Sequence, residues 1–337
     1  MLYEAEFLEG LKSFVNNEIS NRLKAEILRT LSTSIIFRYS GNPEKLFDLR
    51  TVIAVYRLLE FNVPRPKALL GHENFTRLLD TIEDICAEKT FSSFRFSAAG
   101  KDSSVFERLR SDIARETGLK NETEDADLLI RIRKGALDSN GWEALLRITP
   151  RPLATRSWRV CDMRGAVNAT IAACMIEMTF PDAEDHFLNF MCGSGTLLIE
   201  RANRLPAKSI IGVEHDPQVL KCAKQNITAA LTPVPIDLIE SDARSMDFPD
   251  NKFTALVADL PWGQEFGAHE NNAQLYPAVL EEAARVAAPG ARLVLLSHEI
   301  RLMETILEQF SNRWHLKRTV KVFQGGLHPR LYALERK

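Results

Sequence analysis

The chain has 337 residues, 45% hydrophobic and 26% charged, with a formal net charge of −2, the composition of a globular protein long enough for two or three domains. It lacks the overall basicity of a dedicated nucleic-acid-binding domain. No apolar run approaches the ~18 residues that span a membrane, and no basic-then-apolar leader opens the chain. Charge is uneven, however: residues 1–165 carry 26 Lys and Arg against 24 Asp and Glu, and the remainder 17 against 21. A polyanion is therefore expected on the first half, at a local patch. The five cysteines, Cys86, Cys161, Cys174, Cys192 and Cys222, form no C-x-x-C pair. They read as free thiols, with neither a metal site nor a disulfide framework, which suits a reducing cytoplasm.

In chain order, Leu2–Leu8 alternates as a strand, and Glu9–Leu23 has helical spacing through Leu11, Phe14, Val15 and Ile19. Glu26–Thr30 and Ser34–Arg38 pattern as a strand pair, Pro43–Leu49 as a short helix and Val52–Phe61 as another strand. The order βαββαβ predicts a ferredoxin-like α+β unit over 1–66, followed by the linker NVPRPKALLGH. A second unit is predicted over 67–155. It has helices at Phe75–Ala87 and Val105–Thr117, the latter ended by Gly118. Its strands are Phe94–Ser97, Leu128–Arg133 and Trp142–Ile148, the last two joined around LDSNG. Residues 156–182 read as a linker and a helix, RGAVNATIAACMIEMTF. From 183 to 337 strands and helices alternate, predicting a doubly wound, mostly parallel sheet.

That last region carries the chemistry. The strand HFLNFM runs into CGSGTLLIE, where Gly193 and Gly195 permit a tight strand-to-helix turn and close approach of a ligand to the backbone. Position 198 is Leu, so this is not a full G-x-G-x-x-G, and the turn lacks the G-K-[ST] of a P-loop. A second strand, SIIGVEHD, ends about twenty residues on in Glu214, which is placed to accept both hydroxyls of a ribose. Asp216 reads as a helix N-cap before Pro217. A third strand, IDLIESDA, ends in Asp242, a candidate acceptor for an adenine amine. A fourth, ending VADLPWGQ, presents Asp259, Leu260, Pro261 and Trp262 where Pro must end the strand. Four successive strands thus end in a turn or an acid along the sheet edge where ligands bind, which predicts a nucleoside-type cofactor.

Residues 188–200 resemble the first motif of Rossmann-fold S-adenosylmethionine methyltransferases, with its Cys-Gly-Ser-Gly-Thr core. DLPWG resembles their fourth motif, [DN]-x-P-[FYW], which serves methylation of an exocyclic base amine or a glutamine amide; Leu260 stands where Pro is commoner. Residues 1–61, with GLKSFVNNEI, resemble the ferredoxin-like domain that accompanies THUMP domains. Residues 67–155, with FRFSAAGKDSS and DADLLIRIRK, resemble the RNA-binding THUMP domain itself. RGAVNATIAACMIEM is similar to the helix that covers the cofactor's methionine end, and FQGGLHPRLYAL to the family's last hairpin. The whole chain resembles the THUMP-domain tRNA guanine-N2 methyltransferases that act at position 6 of the acceptor stem.

The resemblance implies S-adenosylmethionine held by Cys192, Gly193, Ser194, Gly195, Thr196, Glu214, His215, Asp242, Ala243 and Asp259. It implies a guanine amine met by Asp259 and the Leu260 carbonyl, with Pro261 fixing that carbonyl and Trp262 stacking on the base. His215, which follows Glu214 where an apolar residue is usual, lies along the adenine or is a plain surface residue. The segment RITPRPLATRSWRVCDMRG supplies Arg147, Arg151, Arg156, Arg159 and Arg164 against Asp162 alone. These arginines are either phosphate contacts or linker residues paired with nearby acids. His328 and Arg330 on the final hairpin are further candidate substrate contacts. The expected partner is tRNA, with no membrane and no metal, and a monomer is favoured. Rival readings are a related enzyme acting on another tRNA position or on ribosomal RNA, and an RNA-binding protein with an inert methyltransferase domain.

Overall fold

A computed structural model of the chain describes residues 1–137, 140–262 and 269–337. Asp138 and Ser139 of the expected LDSNG turn, and Gly263 and Gln264 beyond Trp262, lie outside them. The chain divides into two units: Met1–Phe7 with Val15–Ala154, and Leu8–Phe14 with Thr155–Lys337.

The first unit is built on one eight-stranded sheet. Its strands and helices are β1 (Leu2–Glu6), α1 (Lys12–Asn17, crossing between the units), β2 (Glu26–Thr30), β3 (Ser34–Arg38), β4 (Ala54–Phe61), α2 (His72–Glu88), β5 (Ser93–Ala98), α3 (Ser104–Thr117), β6 (Lys120–Asn121), β7 (Leu128–Lys134) and β8 (Trp142–Arg147). The strand order is β2-β3-β1-β4-β8-β7-β5-β6. The ferredoxin-like and second segments, separated at residue 66 in the sequence reading, share this sheet: β4 and β8 pair antiparallel, with Tyr56 opposite Arg147 and Phe61 opposite Trp142. Gly118 ends α3 at φ +72°, as its position predicts. The helix expected over Glu9–Leu23 is shorter. It is α-helical only over Lys12–Asn17, and its continuation Glu18–Arg22 is a π turn. Buried Glu18 there accepts from the Arg50 and Thr51 amides at 3.0 and 2.9 Å.

The second unit contains α4 (Ala169–Met178), β9 (His186–Asn189), α5 (Thr196–Ala202), β10 (Ser209–Glu214), α6 (Pro217–Ala230), β11 (Asp237–Glu240), β12 (Phe253–Asp259), α7 (His269–Val286), β13 (Ala287–Ser297), α8 (Ile300–Gln309), β14 (Trp314–Lys321) and β15 (Arg330–Arg336). Its strand order is β11-β10-β9-β12-β13-β15-β14. The first five strands in that order run parallel, while β15 lies antiparallel to β13 and β14 antiparallel to β15. The core follows strand alternation. Leu188, Leu256, Leu293 and Leu295 face Tyr276, Leu280 and Met303 of α7 and α8, while Phe187, Val257, Val294 and Leu296 face Ile171, Met175, Leu197 and Leu198 of α4 and α5. Leu11 and Phe14 join the second cluster beside Val320 and Val322. Gly10 is needed for this approach: its φ is +95°, and a Cβ would overlap the Lys321 carbonyl.

Two expectations are corrected. Cys161 and Cys222 are not free thiols but a disulfide with a Cα–Cα distance of 5.5 Å. It fastens the segment before α4 to α6, and it removes the free-thiol argument for a reducing compartment. The helix before the sheet also starts later than Arg164: Asn168 caps it, its side chain accepting from the Thr170 amide at 2.9 Å. Among the described residues, no helix is long and apolar enough to cross a membrane, and no cluster of His, Cys, Asp and Glu is placed to hold a metal.

Candidate active site

The chain passes from β9 outward to β10 on one side and returns to β12 on the other. The carboxyl ends of β9, β10 and β12 therefore flank a topological switch point, where open α/β sheets bind ligands. Asn189, Glu214 and Asp259 are the terminal residues of these strands. Strand spacing puts the ends of β10 and β12 about 10 Å apart across β9.

The glycine turn leaves β9 with Gly193 at φ +52° and Gly195 at φ +84°. A Cβ on Gly195 would touch Ala223 at 3.4 Å, while one on Gly193 would have nothing nearer than the Met163 sulfur at 3.7 Å. Gly193 thus leaves its backbone open to a ligand. Gly212 of β10 serves packing: a Cβ there would press into Leu198 and lie 3.1 Å from Cys192 Sγ. The Cys192 thiol is buried, and burial pushes its pKa up. Ser194 and Thr196 are buried, with their hydroxyls 3.4 Å apart.

Glu214 organises this turn from β10. One carboxylate oxygen accepts from the Gly193 amide at 3.1 Å, and the other from the His215 and Asp216 amides at 3.0 and 3.2 Å. Asp216 caps α6 as expected, accepting from the Gln218 amide at 2.8 Å. The His215 side chain is exposed, with its Nδ1 3.0 Å from Glu214. Asp242 is half-exposed and held by Arg244 at 2.6 Å, which lowers its pKa. Ala243 is buried. Sequence reasoning missed Asn189, a fully buried residue whose side-chain amide has no hydrogen-bond partner at either end. An orphaned amide, an open glycine backbone and a carboxylate at the next strand end together form a donor and acceptor set that fits a nucleoside cofactor with a polar tail.

On the far side of β9 stands Asp259. Burial pushes its carboxyl up to about 7, opposed by the Trp262 indole N–H, which donates to Oδ1 at 3.1 Å. Leu260 is buried and its amide donates to the Leu296 carbonyl at 2.9 Å. The Pro261 carbonyl accepts from Asn272 Nδ2 at 2.9 Å and from the Tyr276 hydroxyl at 2.6 Å. The Trp262 ring lies 5.8 Å from the His298 ring at an interplanar angle of 27°. His298 follows the end of β13, next to β12, and was not singled out in the sequence.

The expected basic patch divides. Arg147 is buried, with its guanidinium donating to the carbonyls of Thr149, Asp127 and Pro150 at 2.9, 2.9 and 2.6 Å. Arg156 is buried against Glu200 at 2.9 Å. Both guanidiniums are interior supports, which corrects their expected place on an RNA-facing surface. Arg159 is half-buried and donates to Val167 O and Thr196 Oγ1, each at 3.0 Å, bracing the residue after the glycine turn. Arg151 and Arg164 are exposed, and Arg151 lies 3.3 Å from exposed Asp125. Trp158 is buried. His328 is exposed beside Phe323, with ring centroids 5.3 Å apart. Arg330 stands opposite Ser297, at the β13 end of the same sheet edge, and pairs with Glu304 at 2.5 Å.

A cattle (Bos taurus) protein named tRNA (guanine(6)-N(2))-methyltransferase THUMP3 is 31% identical over 182 residues, which is 50% of this chain and 36% of that protein. The chain thus spans about a third of that relative's length. The structure of TrmN from Thermus thermophilus superposes over 100% of this chain and 99% of its own with a TM-score of 0.74 at 21% identity. That of SMU.472 complexed with SAH covers 98% and 97%, with a TM-score of 0.67 at 14% identity. At those identities the likeness is one of fold. Residues 156–330, more than half of the chain, match the family described as RMKL-like, methyltransferase domain, and the chain belongs to that family.

Proposed function

We propose that this protein uses S-adenosylmethionine to methylate the exocyclic N2 amine of a guanosine in tRNA, at position 6 in the acceptor stem. The observation that carries the reading is the placement of Asp259, Leu260, Pro261 and Trp262 at the end of β12, one strand from the glycine turn of β9. The name of the cattle relative supports the same substrate. When bound, S-adenosylmethionine supplies an already activated methyl group, so the chain's task is positioning. Glu214 and the Gly193 backbone hold the nucleoside end. Asp259 and the Leu260 carbonyl accept the two amine N–H bonds, which turns the nitrogen lone pair away from the ring. Trp262 stacks on the base. A carboxyl with a pKa near 7 is matched to taking up the released proton at neutral pH. A base within the stem leaves the duplex to reach this site.

The test is incubation with tritiated cofactor and undermethylated tRNA or ribosomal RNA, followed by nucleoside analysis and by mapping of the label within the RNA. Label in N2-methylguanosine at position 6 is the expected result. Label elsewhere in tRNA or in ribosomal RNA moves the target, and no label with intact cofactor binding sinks the reading.

A further inference from the structure

Asn272 and Tyr276 are one turn apart on α7, so both side chains leave the same face of the helix. Both are fully buried, and both donate to one acceptor, the Pro261 carbonyl, at 2.9 and 2.6 Å. The proton directions are forced. Tyr276 has a single hydroxyl proton, and the carbonyl can only accept. The Ser297 hydroxyl, 2.9 Å from the Tyr276 oxygen, is therefore the donor in that pair, and its own oxygen accepts from the Glu299 amide at 3.0 Å. Burial raises the Tyr276 pKa above the ordinary tyrosine range, so the phenol keeps its proton. Two buried donors from α7 and a relay from the end of β13 thus converge on one backbone oxygen.

We propose that Asn272 and Tyr276 are positioning residues for the amine-acceptor loop, a role that rests on the function proposed above. Proline fixes φ at residue 261, leaving ψ as the free rotation. Pinning the Pro261 carbonyl sets that ψ and the plane of the peptide leading to Trp262. Because φ is already fixed, it also sets the plane of the Leu260 carbonyl on the other side of the ring. The Leu260 amide bond to Leu296 anchors the approach from β12. The pair thereby aims both the carbonyl that accepts a hydrogen bond from the amine and the ring that stacks on the base. Burying polar side chains only to pack α7 does not require both to meet at this oxygen.

The test uses Tyr276→Phe, Asn272→Ala and the double variant in the full chain. Kinetics with tRNA should show kcat lowered about tenfold in each single variant and further in the double, with KM for tRNA and cofactor Kd within about twofold of wild type. Hydrogen exchange should show the Leu260 amide, which is bonded to the Leu296 carbonyl, faster in the variants, with no general rise across the second unit. An unchanged kcat in the double variant overturns the proposal. So does a loss of kcat accompanied by equally weakened cofactor binding and a general rise in exchange. If the wild-type protein methylates no tRNA, the function reading fails, and the exchange measurement alone decides this one: an unchanged Leu260 amide overturns it.

Discussion

The indole N–H of Trp262 donates to Asp259 Oδ1 at 3.1 Å, so the ring proposed to stack on the base also stabilises the ionised form of the carboxylate proposed to hold the amine. Trp262→Phe keeps an aromatic face and removes the donor. In the wild type, kcat/KM should rise with pH through about 7 as Asp259 ionises. In Trp262→Phe the rise should move to higher pH, because the cause that lowers the pKa is gone. An unmoved midpoint in the pH–rate profile would show that Asp259 does not govern that limb.

Asp259→Asn should bind cofactor normally and lose most of its turnover, since the lost contact acts on the reacting amine. It also makes a stability prediction with a definite sign. The native carboxyl, raised from 3.8 to about 7, holds its proton across a range where the unfolded chain releases it. That contribution is complete below the unfolded value and lost as pH rises through the folded one. The Asn variant lacks this loss, so its melting temperature should gain on the wild type between about pH 4 and 7. Parallel melting curves across that range would contradict the assignment.

Glu214 accepts three backbone amides before any ligand arrives. Glu214→Ala should therefore weaken cofactor binding and also lower stability without cofactor, by about 1–3 kcal/mol for the amides left unsatisfied. Calorimetry paired with ligand-free denaturation measures both. A variant that loses affinity with unchanged stability would limit Glu214 to ligand contact.

Arg151 and Arg156 should behave in opposite ways. Arg151→Glu, at an exposed position, should weaken tRNA binding and flatten its salt dependence without moving the melting curve. Arg156→Glu sets a second carboxylate against Glu200 in the interior, which should cost about 3–5 kcal/mol of stability. Undiminished tRNA affinity in Arg151→Glu would remove that residue from the RNA surface.

The candidate site was largely legible because its parts are local: a glycine pair after an apolar strand, an acid at the next strand end, a proline that stops a third strand. Asp216 was readable as a cap for the same reason. What escaped depends on contacts distant in sequence. Cys161 and Cys222 are 61 residues apart, and no spacing rule joins them. Arg147 finds its acceptors among backbone carbonyls, and Arg156 finds Glu200 44 residues away, so a run of arginines looked like a surface. Asn272 and Tyr276 resemble the polar residues of an exposed helix until the Pro261 carbonyl is placed beside them. The first unit's single sheet was hidden because β4 and β8 lie on either side of a linker that reads as a boundary.

The passage of Leu8–Phe14 into the second unit has a consequence for biosynthesis. Leu11 and Phe14 are synthesised about 300 residues before Val320 and Val322, which share their core cluster. The second unit therefore cannot close its core until the segment around Val320 has been made, and these two side chains wait solvent-exposed or chaperone-held until then. A nascent chain stalled after β13 should show the Leu8–Phe14 stretch open to protease, and a chain with β14 and β15 clear of the ribosome should protect it.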